Sequence, residues 1–285
     1  ILSGENLKIM LKKQLIMQKA VELFAEQGFE ATSVQQITDR CGISKGAFYL
    51  SFKSKDELIL ALIDQFMTEI IADIDSIVKS NKSKDELLFD FFYINLSLFE
   101  KYSDYAKTFM QEQVHLIKEE FIEKMHYYNL LNEKTILELV ERVYGEHVQD
   151  IKYDLVYCIK GFIRIYTELF FVSHTPPDFE KLSHSLVEKT NLLAKHTKLP
   201  FITAEYAPLL QSPKNNEISK EKIVEVINQN LEEVEQGIER ESLILMRDQL
   251  NMPTLPRAII KGLIRNIRQH PITKWTSYLL ENYYD

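Results

Sequence analysis

No proline occurs before Pro176 in this chain of 285 residues. Proline removes a helix hydrogen bond and clashes with the preceding turn, so the first part of the chain lacks the strongest helix breaker. Glycine is scarce too, with 8 in the whole chain. Together these absences argue for long helices and an all-α fold. The composition, 45% hydrophobic and 27% charged, is that of a globular protein long enough to bury a large core in one or two domains. No run of about 18 apolar residues exists, so a membrane-spanning helix is not expected. The first residues, Ile1 to Asn6, lack a basic-then-apolar signal pattern. The chain does not begin with Met, which points to a trimmed start. The two cysteines, Cys41 and Cys158, lie far apart in apolar helical settings. They fit buried free thiols in a reducing cytoplasm better than a disulfide.

The segment from Thr32 to Leu58 carries three helix starts in quick succession. Ser33 and Gln36 have the spacing of a capping box, and Val34, Ile37 and Cys41 give the following helix one apolar face. Gly42 is a suitable stop, because glycine enters the left-handed region at no steric cost. Ser44 is a good N-cap for a second helix from Lys45 to about Leu50. Ser54 and Glu57 form another capping box, which opens a longer helix through Leu58, Leu62 and Phe66. Two short helices joined by a glycine turn predict a helix-turn-helix, which places one helix in the DNA major groove. Phe48 and Phe52, with Leu23, Phe24, Phe29, Val34 and Ile37, are expected to form the core of this small domain.

These residues also carry a family resemblance. Gly28-Phe29, Thr32-Ser33-Val34, Ile37 and the run Gly42 to Leu58 resemble the N-terminal domain of TetR/AcrR transcriptional regulators over roughly residues 10–65. Gly42, Ser44, Gly46, Tyr49, Phe52, Lys55 and Leu58 all fall in the family register. Two positions depart from it. Ser51 stands where members often have His or another phosphate-reaching residue, and Leu50 stands where many carry a longer polar side chain. The resemblance implies a DNA-binding homodimer without a cofactor, an N-terminal helix-turn-helix domain and a helical ligand-binding and dimerisation domain. The expected division is 1–65 for the head, 66–200 for the regulatory domain and 201–285 for a C-terminal helical extension.

Reach suggests roles within the head. Lys45 can contact a guanine edge or a phosphate, Gly46 and Ala47 allow close approach, and Ala47 can touch a thymine methyl. Tyr49 offers a hydroxyl for phosphate and a ring for packing; Leu50 and Ser51 complete the candidate face. Thr32 and Ser33, at a helix start, can bind phosphate through hydroxyl and backbone N–H. By resemblance, Lys55 holds a backbone phosphate. The net charge of −8 is acidic for a DNA-binding protein. Its distribution answers much of that objection, since residues 1–65 hold eight basic and eight acidic side chains. Between Gln36 and Lys55, Arg40, Lys45, Lys53 and Lys55 face Asp39 alone. A local basic surface suffices for phosphate neutralisation.

Residues 66–200 read as long helical stretches interrupted near Ser80-Asn81, Tyr102-Ser103, Asn129 to Asn132, and Gly145. By resemblance, this body holds an effector pocket and the dimer interface. The aromatics between Phe89 and Tyr128 read mainly as core, although a cavity among them favours a lipophilic or aromatic ligand. Phe92, Phe99, Phe109, His115, Tyr127 and Tyr166 are the candidates for contacting it. His115 and His126 match no common metal-ligand spacing, so no metal is expected. The dimer is expected to pair helices near Asp150–Val172 and Asp178–Lys195, with Leu155, Ile159, Phe162, Tyr166, Leu182, Leu186 and Leu193 as candidate contacts. The breadth of the apolar surface on the first helix exceeds one core-facing stripe. Dimerisation also suits a near-palindromic double-stranded operator, read by two heads.

Residues 201–285 extend beyond the point where family members usually end. Pro200, Pro208 and Pro213 mark a linker. Ile223, Ile227, Leu231, Val234 and Ile238 then give a stripe on one acidic helix from about Ser219 to Leu250. After Met252-Pro-Thr-Leu-Pro256 a second helix follows, with Ile259, Ile260, Leu263, Ile264 and Ile267 on one side and Arg257, Lys261, Arg265 and Arg268 on the other. The favoured reading is an antiparallel helix pair packed on the regulatory domain, its basic face solvated or near the acidic helix. The sharper one is a face that contacts a partner or DNA, and a further alternative is an enlarged regulatory domain in which these helices help form the pocket or the dimer. No Gly-x-Ser-x-Gly, His-Glu-x-x-His, Walker loop or dinucleotide glycine pattern is present, so an enzyme is not expected. The sequence therefore points to a cytoplasmic ligand-responsive repressor, with a protein-interaction module acting through its C-terminal helices as the alternative.

Overall fold

The computed structural model describes residues 4–101, 119–172, 177–207 and 219–284, and every regular element among them is helical. The chain divides into two compact units. The first holds the described parts of Ile1–Ala72 and Asn216–Asp285, the second those of Asp73–Ala106 and Leu116–Asn215.

The first unit begins with α1 (Gly4–Gln27), α2 (Val34–Cys41), α3 (Lys45–Tyr49) and the start of α4 (Lys55–Val78). The local signals operate as the sequence predicts. The Ser33 hydroxyl accepts from Gln36 N, and the Gln36 side chain accepts from Ser33 N at 2.8 Å, closing the capping box. Gly42 is left-handed (φ 66°, ψ 33°) and its N–H donates to Asp39 O, so α2 stops there. Ile16, Leu23, Phe24, Phe29, Ile37, Phe48, Phe52, Leu58 and Ile63 are buried, and Val34 is half-buried. Each large side chain so buried contributes about 1.5–3 kcal/mol. Phe24 meets Phe29 edge-on at 5.2 Å, and Phe48 lies 6.0 Å from Phe52.

The same unit contains a group of four helices, α9 (Lys220–Glu233), α10 (Ile238–Asn251), α11 (Arg257–Arg268) and α12 (Lys274–Tyr284). Helix α10 packs on α9 and α11, and α12 packs on α9 and α11. This corrects the expected helix pair twice. The acidic helix is two helices, because Arg240 donates to the carbonyls of Leu231 and Val234 and so caps α9, while Gly237 starts α10. The apolar stripe runs across that break, so periodicity does not mark it, and Ile238, read as part of the stripe, is 59% exposed. Helix α12 is additional; Tyr278, Leu279 and Leu280 bury its inner face. Ile259, placed on the core side of α11, is also exposed.

The second unit is built from α5 (Lys84–Lys101), α6 (Glu119–Tyr144), α7 (Lys152–Val172) and α8 (Phe179–His196). Helix α5 packs against the other three, α6 on α7, and α7 on α8. Its core includes Leu88, Phe91, Phe92, Leu96, Ile136, Leu139, Val140, Leu155, Ile159 and Leu186. The expected break at Asn129 to Asn132 is absent. Asn129 donates to Glu133 one turn on and α6 continues through it. A break does follow at Gly145 (φ 63°), which opens a short 3₁₀ turn, Gly145–Val148. The expected break at Tyr102-Ser103 lies outside the described residues. Beyond α8, the Asp154 carboxylate accepts from the N–H groups of Phe201 and Ile202 at 2.7 and 2.8 Å and holds that segment to α7.

Candidate nucleic-acid interface

Helix α3 is the exposed element of the head. Its N-cap, Ser44, accepts from Ala47 N at 3.2 Å, and Phe48 is buried, which anchors the helix by its inner face. The outer face is open: Lys45 and Gly46 are exposed, Tyr49 is 53% and Leu50 82% exposed, and Ala47 and Ser51 are half-buried. Phe48 supports the Tyr49 ring edge-on at 5.4 Å. A Cβ at Gly46 meets only Ser44 Oγ, at 3.8 Å, so the fold itself does not require glycine there. The Lys45 and Gly46 N–H groups have no partner among the described residues, as expected of the first donors of a helix. The tip therefore brings Lys45, Gly46, Ala47, Tyr49, Leu50 and Ser51 to one surface as the sequence implies.

Two assigned phosphate ligands are occupied elsewhere. Thr32 is fully buried; its hydroxyl donates to Gly28 O at 2.7 Å and accepts from Gln27 Nε2 at 3.0 Å. Its work is to close the α1–α2 loop. The Lys55 ammonium donates to Phe29 O at 2.5 Å and Thr32 O at 2.9 Å, and sits 4.1 Å from the Phe29 ring centroid. It ties the start of α4 to that same loop instead of facing a phosphate. Ser33 stays exposed, but its hydroxyl belongs to the capping box, and the N–H groups of Val34 and Gln35 stand at the start of α2 behind it.

Electrostatics narrows the set of free cations further. Arg40 forms a two-pronged pair with Glu26, at 3.0 and 3.3 Å, which locks α2 to α1. The Arg40 guanidinium holds the Glu26 carboxyl below the usual carboxylate range, and Glu26 in turn raises Arg40. Lys45 and Lys53 are exposed and form no ion pair among the described residues. Lys13, from α1, places its ammonium 5.3 Å from the Phe52 ring centroid and adds a cation beside the α3–α4 turn. Spacing gives no hint of Lys13, since the residue it approaches lies far along the chain. Both cysteines are free and half-buried, and burial pushes both thiols upward.

In the second unit, Phe92 is fully buried against Phe91 in the core. Tyr127 and Tyr166 are half-buried. Phe109 and His115, and the side chain of Phe99, lie outside the described residues. Of the dimer candidates, Leu155, Ile159 and Leu186 are buried within their own chain and do not face a partner. Phe162, Tyr166, Leu182 and Leu193 are half-buried. The strongly exposed apolar side chains on these helices are Leu169 (54%) on α7, part of the broad apolar surface the sequence shows there, with Ile165 (62%) on α7 and Leu192 on α8, which the sequence did not single out. Side chains four apart on α7 lie close together on its surface. Tyr157, Ile165 and Leu169 are exposed and lie in one row with the half-buried Gly161, where a Cβ meets open space.

A capped helix pair with an open second helix defines a DNA-reading helix-turn-helix protein. Residues 16–62 match the family model described as bacterial regulatory proteins, tetR family. The chain is 25% identical over 280 residues to the HTH-type transcriptional regulator YuxN of Bacillus subtilis, covering 90% of this chain and 92% of that protein. It is 24% identical over 267 residues to YerO, another HTH-type transcriptional regulator of that organism, covering 90% and 89%. A transcriptional regulator from Aquifex aeolicus shares the fold with a TM-score of 0.50 and 27% identity; the match covers 64% of this chain and 99% of that one. Residues 16–62 thus form a DNA-binding head of the tetR family, and the chain as a whole resembles TetR/AcrR transcriptional regulators.

Proposed function

We propose that two copies of this chain form a cytoplasmic repressor that reads a near-palindromic operator and leaves it when a small lipophilic or aromatic molecule binds the second unit. The observation that carries the DNA reading is the α3 tip. Its inner face is fixed by Phe48 and the Ser44 cap, and its outer face offers Lys45, Gly46, Ala47 and Tyr49 without internal partners for the lysine or the glycine N–H. The row Tyr157, Gly161, Ile165 and Leu169, with Leu192, supports pairing of α7 and α8 with their copies, because exposed apolar rows of this kind mark interfaces. Effector release requires a ligand that binds the DNA-incompetent arrangement of the dimer better than the competent one. Among the described residues Tyr127 and Tyr166 are the aromatic candidates for that ligand.

The test combines a duplex from the protein's own upstream region with a panel of fatty acyl compounds, lipophilic cations and aromatic antibiotics. A true effector raises the apparent stability of the folded protein, by about 2.7 kcal/mol at a hundredfold excess over its Kd. The same compound must lower affinity for the duplex. A compound that stabilises the protein and leaves DNA affinity unchanged contradicts the release mechanism.

A further inference from the structure

Helix α11 presents a basic strip that the reading head does not explain. The helix Arg257–Arg268 contains four basic residues and no acidic one. Ile260, Leu263, Ile264 and Ile267 bury its inner face and so fix the orientation of the outer one. Arg268 is not part of the open face, since it pairs with Glu281 of α12. Arg257 gives one nitrogen to Tyr284 O at 3.2 Å. Lys261 and Arg265 are exposed and make no hydrogen bond or ion pair among the described residues. Beside them lie Ala258, Gly262 and Gln269, also exposed, and a Cβ at Gly262 meets nothing within 4 Å. Arg257, Lys261 and Arg265 thus stand about 6 Å apart along the axis, next to a low shoulder over which a bulky partner can approach closely.

The basic face lies beside the acidic segment, as one part of the expected reading has it, but is not paired with it. Helix α9 carries Glu221, Glu225, Glu232 and Glu233 and helix α10 carries Glu239, Glu241 and Asp248, yet none pairs with Lys261 or Arg265 among the described residues. Like charges four apart on a helix repel, so the strip carries a small internal cost. It also stands out in a chain of net charge −8. Two further facts favour DNA as its occupant. The strip and the reading head fall in the same compact unit. The head itself has few cations to spare, because Arg40 is held by Glu26 and Lys55 by main-chain carbonyls. Non-specific affinity grows with the number of phosphates neutralised, so a head with so few free cations gains from a second basic surface.

We infer that Arg257, Lys261 and Arg265 contact backbone phosphates of the duplex flanking the sequence read by α3. This rests on the DNA-binding reading above, and the test keeps the two separable. The full chain and its Lys261→Gln/Arg265→Gln variant are titrated by fluorescence anisotropy across a salt series. Three duplexes are used: a minimal footprinted site, the same site with about 20 flanking base pairs on each side, and a random sequence of the longer length. Each lost phosphate contact lowers the slope of log K against log salt by about 0.9. With two side chains lost from each of two copies, the variant should show a slope shallower by about 3.6 on both long duplexes and unchanged on the minimal site, with the same thermal unfolding as wild type. The random duplex reports on the strip even if the head reads no sequence, because phosphate contacts carry no sequence information. Equal slopes for variant and wild type on the long duplexes overturn the proposal, as does an equal loss on all three. Unchanged DNA slopes with lost binding of a polyglutamate peptide overturn it in favour of an acidic protein partner.

Discussion

At the residue scale, the head separates side chains that hold it together from side chains that face outward. Lys55 is the sharpest case, because its ammonium satisfies the carbonyls of Phe29 and Thr32. Charge-assisted hydrogen bonds contribute about 1.5–3 kcal/mol each. Lys55→Ala should therefore lower stability by at least that much in denaturant titration, and any loss of DNA affinity should follow the loss of folded protein. A Lys55→Ala chain with normal stability and selectively weakened DNA binding would restore the phosphate role. Gly46→Ala should do the reverse. The added methyl finds open space within the protein, so stability should be unchanged or slightly higher, since alanine favours helix over glycine, while DNA affinity falls. Arg40 and Glu26 link stability to pH. The Glu26 carboxyl titrates below its ordinary value of 4.5 in the folded chain. Its contribution is thus complete above about that pH and is lost as pH falls through the lower folded value. Thermal unfolding between pH 3 and 6 should fall less steeply in Arg40→Gln than in wild type, and high salt should narrow the difference because the pair is exposed.

At the element scale, the caps determine where the helices start. Ser33→Ala or Ser44→Ala should each cost about 1 kcal/mol in chemical denaturation. These elements were legible in the sequence because capping boxes and a left-handed glycine are local signals. The head's core was legible for the same reason, through Phe24, Ile37, Phe48 and Phe52. What escaped was non-local. The α9–α10 break depends on Arg240 reaching back to Leu231 and Val234, and the apolar stripe continues across it without a change of period. Thr32 and Lys55 sit where a phosphate ligand is expected, and only the folding of the α1–α2 loop between them turns both inward. On α7 the broad apolar surface was visible, but not which side faces the chain's own core. That assignment yields a discriminating pair. Ile165→Glu with Leu169→Glu should convert the dimer to monomer in analytical ultracentrifugation while each chain stays folded. Leu155→Ala should instead cost about 2–5 kcal/mol of stability and leave the association state of the folded protein unchanged.

At the scale of the whole molecule, an acidic chain binds a polyanion by concentrating its uncommitted cations. In the head these are Lys45, Lys53 and Lys13, and on α11 they are Lys261 and Arg265 with most of Arg257. The central claim is that α3 reads DNA from two identical heads. Footprinting on the protein's own upstream region, with Lys45→Ala and Tyr49→Ala alongside wild type, tests it directly. The account predicts two protected segments separated by about one helical turn, 34–36 Å, or a multiple of it. Lys45→Ala should weaken protection by the equivalent of about 1–3 kcal/mol if the lysine reaches a base edge. Tyr49→Ala should weaken both segments together. Protection of a single segment, or protection that neither substitution alters, would contradict it.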